Sequence, residues 1–344
     1  MESPQDFIRT VAKGTDLSRE ESAAAMEGIM NGDWTPAQIA AYLTALSIKG
    51  ETKEEIVGGA QVMRAKAYNE EVKNRPLVDP VGSGGDGLHT VNVSTLSGLI
   101  AAGAGVFIAK HGNRAMTGQC GSADMLEGLG VELEIPASDA IKGIDENGFA
   151  FLFAPVFHQS MRHAIGPRRE IGIPSIFNYL GPLTNPVAPE AQLIGVNQEQ
   201  NTLRFTEVLM GLGCGHSLAV WGKDGMDEIT NTGETKVVEQ RDGKITEFEV
   251  KPEDFGITRV THSDLAMPDK ETAIRTGQAI LKGEAQGPHE DLVLLNAGAT
   301  IYLGNKVGSI ADGVEVARET LRSGAAQQLV ERVAAYTQSR KPAA

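Results

Sequence analysis

Polar and apolar positions change rhythm once along this chain, near Pro76. Before it, capping boxes recur in series, Ser18 with Glu21, Thr35 with Gln38 and Thr52 with Glu55, and each predicts the start of a helix. Pro36 suits a first helical position and Gly50 a helix end. Ile39, Leu43 and Leu46 stripe one of these helices, and Phe7, Ile8 and Val11 the first. Such stripes predict a packed helical bundle rather than a ligand surface.

After Pro76 come apolar runs of strand length, Leu77–Asp79, Val106–Ala109, Phe149–Ala154 and Leu218–Trp221, with helical segments between them. One of these segments, Leu96–Ala104, has Ser94 or Thr95 as its expected N-cap. The alternation predicts an α/β class: a small helical N-terminal domain, then a larger α/β domain with a mostly parallel sheet. Right-handed crossovers would bring the loops 82–94, 110–124, 155–169 and 222–228 to one sheet edge, where such folds bind ligands. Residues 161–186 interrupt the alternation with a helical stretch and a turn at Gly181–Pro186. The part beyond Glu247 reads as mixed strand and helix without evident chemistry.

Composition narrows the function classes. Of 344 residues 41% are hydrophobic and 22% charged, as in globular proteins. With 31 Lys and Arg against 45 Asp and Glu, the net charge of −14 argues against a nucleic-acid partner. Cys120 and Cys214 stand far apart without a CxxC, so neither a disulfide framework nor a zinc site is expected, and a reducing cytoplasm is. The opening residues lack the apolar core of a signal peptide, and no run reaches the ~20 apolar residues of a membrane span.

The chemistry concentrates in two segments. Asp79–Thr95 places Gly82, Gly84, Gly85 and Gly87 just after a strand, where main-chain N–H groups can cup an anion. Lys110–Asp124 adds a cation. The spelling GxGxxG also matches a dinucleotide fingerprint, but the following helix opens late and the next strand ends in Lys110 rather than an acid. No GxxxxGK[ST] is present. The plain alternative is a glycine-rich turn. Asp227-Glu228 is either a solvated acidic turn or an oxygen-ligand pair suited to magnesium. Arg168 carries the planar fork that fits a carboxylate, whereas Arg169 would point elsewhere on a helix. His163, His216, His262 and His289 read as structural, and His158 and His163 do not make HExxH.

GSGGDGLHTVNVST, KHGNRAMTGQCGSAD, the stretch Phe151–Pro186 and GMDEIT together resemble the signature blocks of the anthranilate phosphoribosyltransferase family, in order across most of the chain. The resemblance implies a nucleoside phosphorylase/phosphoribosyltransferase-like fold, with a helical domain over residues 1–73 and a returning segment near 162–185. The α/β donor domain would be 74–161 and 186–344. It implies magnesium, anthranilate and phosphoribosyl pyrophosphate as ligands, and a homodimer through the helical domain. Gly82, Asn113 and Arg168 would contact anthranilate, with His158 lining its pocket. Gly82, Gly85, Asp86, Thr90, Asn92, Ser94, Thr95, Lys110, His111, Gly112, Asn113, Arg114, Gly118 and Ser122 would hold the donor, Asp86 in an ordering role. Ser94, Asp227 and Glu228 would hold the metal. Ser83 and Gln119-Cys120 depart from the common family spelling. The competing expectations are a pyrimidine-nucleoside phosphorylase-like enzyme and a non-catalytic nucleic-acid-binding relative.

Overall fold

The computed structural model describes residues 3–114 and 120–342. Helices α1 (Pro4–Ala12), α2 (Arg19–Asn31), α3 (Pro36–Lys49) and α4 (Lys53–Lys66) lead the chain. Then come β1 (Leu77–Gly82), α5 (Val93–Gly103), β2 (Phe107–Gly112), α6 (Ser122–Gly128), α7 (Ala137–Asn147), β3 (Phe149–Phe153) and α8 (Ala154–Phe157). Next are α9 (Arg162–Ile171), α10 (Ile176–Leu180), β4 (Ala191–Gly195), α11 (Gln200–Gly211) and β5 (His216–Gly222). The hairpin β6 (Thr235–Arg241) and β7 (Lys244–Val250) precedes α12 (His262–Leu265), α13 (Lys270–Leu281), α14 (Pro288–Leu303), α15 (Ile310–Arg322) and α16 (Ala325–Gln338).

All three capping boxes close as the spacing predicts. Ser18, Thr35 and Thr52 accept from the main-chain N–H three residues on, and the Glu21, Gln38 and Glu55 side chains accept from the cap N–H in return. Glu55 does more: its other oxygen accepts Leu17 N at 2.9 Å, and Lys49 Nζ pairs with the carboxylate at 3.0 Å, so one buried acid ties three parts of the bundle. The returning helices α9 and α10 bury Ala164, Ile176, Phe177 and Leu180 in this bundle's core.

Strand order is β3-β2-β1-β4-β5-β6-β7 among the described residues. Pairings from β3 to β5 are parallel, and β6 and β7 join antiparallel. The strands ending at Gly82, Gly112, Phe153, Gly195 and Gly222 therefore open on one edge, from which residues 83–92 and 223–228 continue as loops, whereas the predicted loop 155–169 is mostly taken up by α8 and α9. Strand β4 carries no strong sequence signal, being five residues long and close behind Pro186 and Pro189. One sheet face packs on α5 and α14, the latter buried nearly all round. The other face contributes Ile194, Val196, Ala219 and Val238, with Phe205, Val208 and Leu209 of α11, to the same core as the bundle.

Two expectations need correction. The cap of α5 is Asn92, whose Oδ1 accepts Thr95 N at 3.3 Å, so Ser94 and Thr95 lie inside the first turn. An amide in this place competes as well as a hydroxyl for the free N–H groups. Strand β1 also continues through Pro80 to Gly82 rather than ending at Asp79. Pairing with β2 stops at Val78, as a proline without an N–H requires, while pairing with β4 runs on to Gly82 and Gly195.

Candidate active site

Beyond Val78 the missing β1–β2 ladder is replaced by side chains. His111 N donates to Asp79 Oδ1 at 3.3 Å, and Asn185 Nδ2 donates both to Ala109 O at 2.7 Å and to Asp79 Oδ2 at 2.8 Å. Lys110 Nζ donates to Pro80 O at 2.7 Å and to Ser94 Oγ at 3.1 Å. Lys110 is thus a buried strand residue beneath the glycine loop, not a cation presented on a second loop as its spacing suggested. Asp79 and Glu228 supply the negative charge that Lys110 faces. Burial still raises the Asp79 carboxyl to about 6, against the pull of Lys110 and Asn185.

The glycine loop closes over one acid. Gly84 N donates to Asp227 Oδ2 at 2.6 Å, and a Cβ on Gly82 would stand 2.7 Å from the same oxygen. On neighbouring β4 a Cβ at Gly195 would run into the Asp227 carbonyl, so the acid seats on two bare strand ends. Neither Gly195 nor Asn197, whose Nδ2 donates to Gly84 O at 3.2 Å, was found by sequence reasoning; the signal available was a second glycine closing a short strand. Within the loop, Asp86 Oδ1 accepts Leu88 N at 3.0 Å.

Gly84 sits at φ +75° with open space around its Cβ direction. Gly84→Val should therefore fail through its backbone, at roughly 1–3 kcal/mol of strain, and not through a clash. Calorimetry should record a collapse of affinity for a diphosphate-bearing ligand while the bundle's melting is retained; full affinity would make the loop a mere turn.

Asp227 and Glu228 are both buried. Burial first, and then the Asp86 charge, raise Asp227 to about 7. Burial and Asp227 drive Glu228 well above the carboxylate range, with Lys110 opposing. The Ser94 main-chain N–H also faces Glu228. Two buried acids set against one lysine form a site short of positive charge, which a divalent cation would supply. No cluster of three or more His, Cys, Asp or Glu is assembled for a metal among the described residues. Two buried carboxylates would suit magnesium, an ion that keeps waters and shares phosphate oxygens, better than zinc.

On the other side stand His111 and His158, both buried, with ring centroids 5.0 Å apart and edge to face. Burial holds His111 well below its ordinary value and His158 at about 4, so both rings are neutral at pH 7. Neither Nε2 has a hydrogen-bond partner among the described residues. Arg168, on α9, lies half-buried with its guanidinium 4.8 Å over the Phe177 ring, forms no ion pair among the described residues, and has its pKa pulled down by burial. Arg169 is exposed, as expected.

The remaining candidates divide. Thr95 Oγ1, next to Ser94 in the chain, is buried without a hydrogen-bond partner among the described residues. Gly112 ends β2 and Ser122 begins α6. Thr90 donates to Val91 O, Asn92 Nδ2 to Cys120 O at 3.4 Å, and Asn113 Oδ1 accepts the N–H of Arg114. Gly85 adjoins the amide of Asn197. Arg114 is turned to Glu127, its fork making two bonds of 2.7 Å, and so is not brought to the carboxylates. Gly118 lies outside the described residues. Of the histidines read as structural, His216 is held by Glu239 at 2.7 Å and His163 accepts from Arg162 Nε at 3.2 Å. His262 pairs with Asp224 at 3.6 Å.

Comparison with known proteins gives the same arrangement a family. The profile described as "Glycosyl transferase family, a/b domain" matches residues 74–327, and that of its helical bundle domain residues 5–67. An anthranilate phosphoribosyltransferase of Desulfotalea psychrophila is 46% identical over 333 residues, covering 96% of this chain and 95% of its own length. The chain belongs to the anthranilate phosphoribosyltransferase family. Among solved anthranilate phosphoribosyltransferases, that of Thermus thermophilus is 42% identical with a TM-score of 0.91, covering 97% of this chain and 99% of its own. The Saccharomyces cerevisiae enzyme, solved in complex with PRPP and Mg, is 26% identical with a TM-score of 0.89 and covers 98% of both chains. Membership in this family does not favour the phosphorylase-like or nucleic-acid-binding alternatives.

Proposed function

We propose that this chain transfers the phosphoribosyl group of phosphoribosyl pyrophosphate to anthranilate, giving N-(5-phosphoribosyl)anthranilate and diphosphate in tryptophan biosynthesis. The observation that carries the reading is the buried Asp227-Glu228 pair under a glycine loop whose Gly84 N–H it receives. Bound there, magnesium would balance the charge of the departing diphosphate. Asp227, Glu228 and Ser94 would hold it. Gly82, Gly85, Asn92, Thr95 and the start of α5 would hold the donor, with Lys110 fixing Ser94 and Glu228 from below. Arg168 would receive the anthranilate carboxylate, with Gly82, Asn113 and His158 around the ring.

The amine lone pair forms the bond to C1 of the ribose as the C1–oxygen bond breaks, and its electron pair leaves with diphosphate. One amine proton then passes to solvent. The aniline nitrogen is neutral near pH 7, so the chain's work is alignment and charge; aligning two bound substrates can supply about 7–11 kcal/mol of the barrier. Neutral His111 and His158 put no positive charge beside the cationic ribose. Mixing the protein with phosphoribosyl pyrophosphate, magnesium and anthranilate should extinguish anthranilate fluorescence and release diphosphate; stable fluorescence overturns the assignment.

The reading includes a cytoplasmic location, supported by free Cys120 and Cys214. Among the described residues no helix is long and apolar enough to cross a membrane. It also includes the domain limits 1–73 with 162–185, against 74–161 and 186–344, and a homodimer through the helical domain. Exposed Ile48 on α3 and Ile165 on the adjoining α9, with Ile173 just beyond, support that surface. Ile48→Asp with Ile165→Asp should shift sedimentation from dimer to monomer; an unchanged dimer moves the interface elsewhere.

A further inference from the structure

Asp227 and Glu228 are neighbours in the chain, and in an extended segment adjacent side chains point to opposite faces. Turning both into one buried site takes a bend that is held on each side. Before the pair stands Asp224: its Oδ1 accepts Met226 N at 3.0 Å, its Oδ2 accepts the Thr230 hydroxyl at 2.7 Å, and the Thr232 hydroxyl bonds to the same oxygen. The carboxylate fits there because β5 ends in Gly222, where a Cβ would run into Asp224 Oδ1. The chain beyond Glu228 is held by Asn296, which lies fully buried within α14. Its Oδ1 accepts Ile229 N at 2.9 Å and its Nδ2 donates to Ile229 O at 2.9 Å, so one side-chain amide fixes both main-chain groups of the residue after Glu228. Nδ2 also donates to Leu292 O, one helical turn back, at 2.9 Å. A primary amide in this apolar helix would be costly to bury without such bonds.

We propose that Asp224 and Asn296 are positioning residues for the metal: by gripping the main chain at Met226 and Ile229 they hold the carboxylates of Asp227 and Glu228 in one site, and neither is itself a ligand. The inference rests on the reading of that pair as the magnesium site. It ties the core helix α14 to the loop that would meet the diphosphate.

Mn2+ titrated into the ligand-free protein, with the free ion read by electron paramagnetic resonance, tests this without turnover. Asp224→Ala and Asn296→Leu should each raise the Mn2+ Kd about tenfold, the scale of one lost buried hydrogen bond. Charge alone is a competing account at Asp224, since removing any nearby carboxylate weakens a cation. Asp224→Asn decides between them: it drops the charge but keeps an oxygen for Met226 N, and should bind Mn2+ nearly as the parent does. Asn296→Leu changes no charge, and in a Glu228→Ala background it should add nothing to the loss, where a general loosening of the fold would add. Asp224→Asn as weak as Asp224→Ala, or a folded Asn296→Leu with parental affinity, overturns the proposal; should Asn296→Leu not fold, the two Asp224 variants decide alone. A parent that takes up no Mn2+, or Asp227→Ala with Glu228→Ala that binds it as the parent does, overturns the metal reading itself and the proposal with it.

Discussion

Asp227→Ala together with Glu228→Ala should raise the magnesium needed for half-maximal rate and lower the rate at saturating metal, because two of the proposed oxygen ligands go at once. The pair is buried against a single lysine, so the substitution also removes an electrostatic burden. The metal-free double variant should accordingly melt no lower than the parent. The sign of the pH dependence follows from Asp227. Folded, it holds its proton to about 7, against an ordinary 3.8, so the native state binds more protons than the unfolded one between these values. Metal-free stability should then fall as pH rises through that window. Magnesium must displace the proton, so its half-saturating concentration should drop as pH climbs from about 6 to about 8. A magnesium titration identical in parent and double variant would remove both residues from the metal site.

Arg168→Ala should weaken anthranilate by one to two orders of magnitude, since a charge-assisted hydrogen bond contributes about 1.5–3 kcal/mol and about 1.4 kcal/mol is tenfold. Its place over Phe177, half-buried and without an acid partner among the described residues, leaves the fork free for a substrate carboxylate. Donor binding should change little, because the glycine loop and Asp227 lie on the other strand ends. Arg168→Lys should recover part of the loss, as an ammonium lacks the fork. Initial-rate kinetics with each substrate varied check this; a loss of donor affinity with normal anthranilate dependence would invert the assignment.

The helical bundle was legible because its signals are local: each capping box joins residues three apart, and all three closed. The glycine loop was legible for the same reason. Asp227-Glu228 was not separable from a solvated turn by composition, since its burial depends on Gly82 and Gly195, far off in the chain. Lys110 reads as a loop cation until Pro80 is seen to break the β1–β2 ladder and leave a carbonyl for its ammonium. Asn185 and Asn296 bear no local mark, for Asp79 and Ile229 are brought to them only by the tertiary fold.

The shared core beneath α11 has a practical consequence for anyone cutting the chain into pieces. Ile194, Val196, Ala219 and Val238 of the sheet lie in one apolar body with Ile56, Val57 and Ala60 of α4. A fragment beginning at Asn74 would bare to water the faces of α10 and α11 that α4 covers and should aggregate on expression, while residues 1–73 alone would lose the floor on which α4 rests. Co-expression of the two fragments should return soluble material, with the severed ends joined by packing alone.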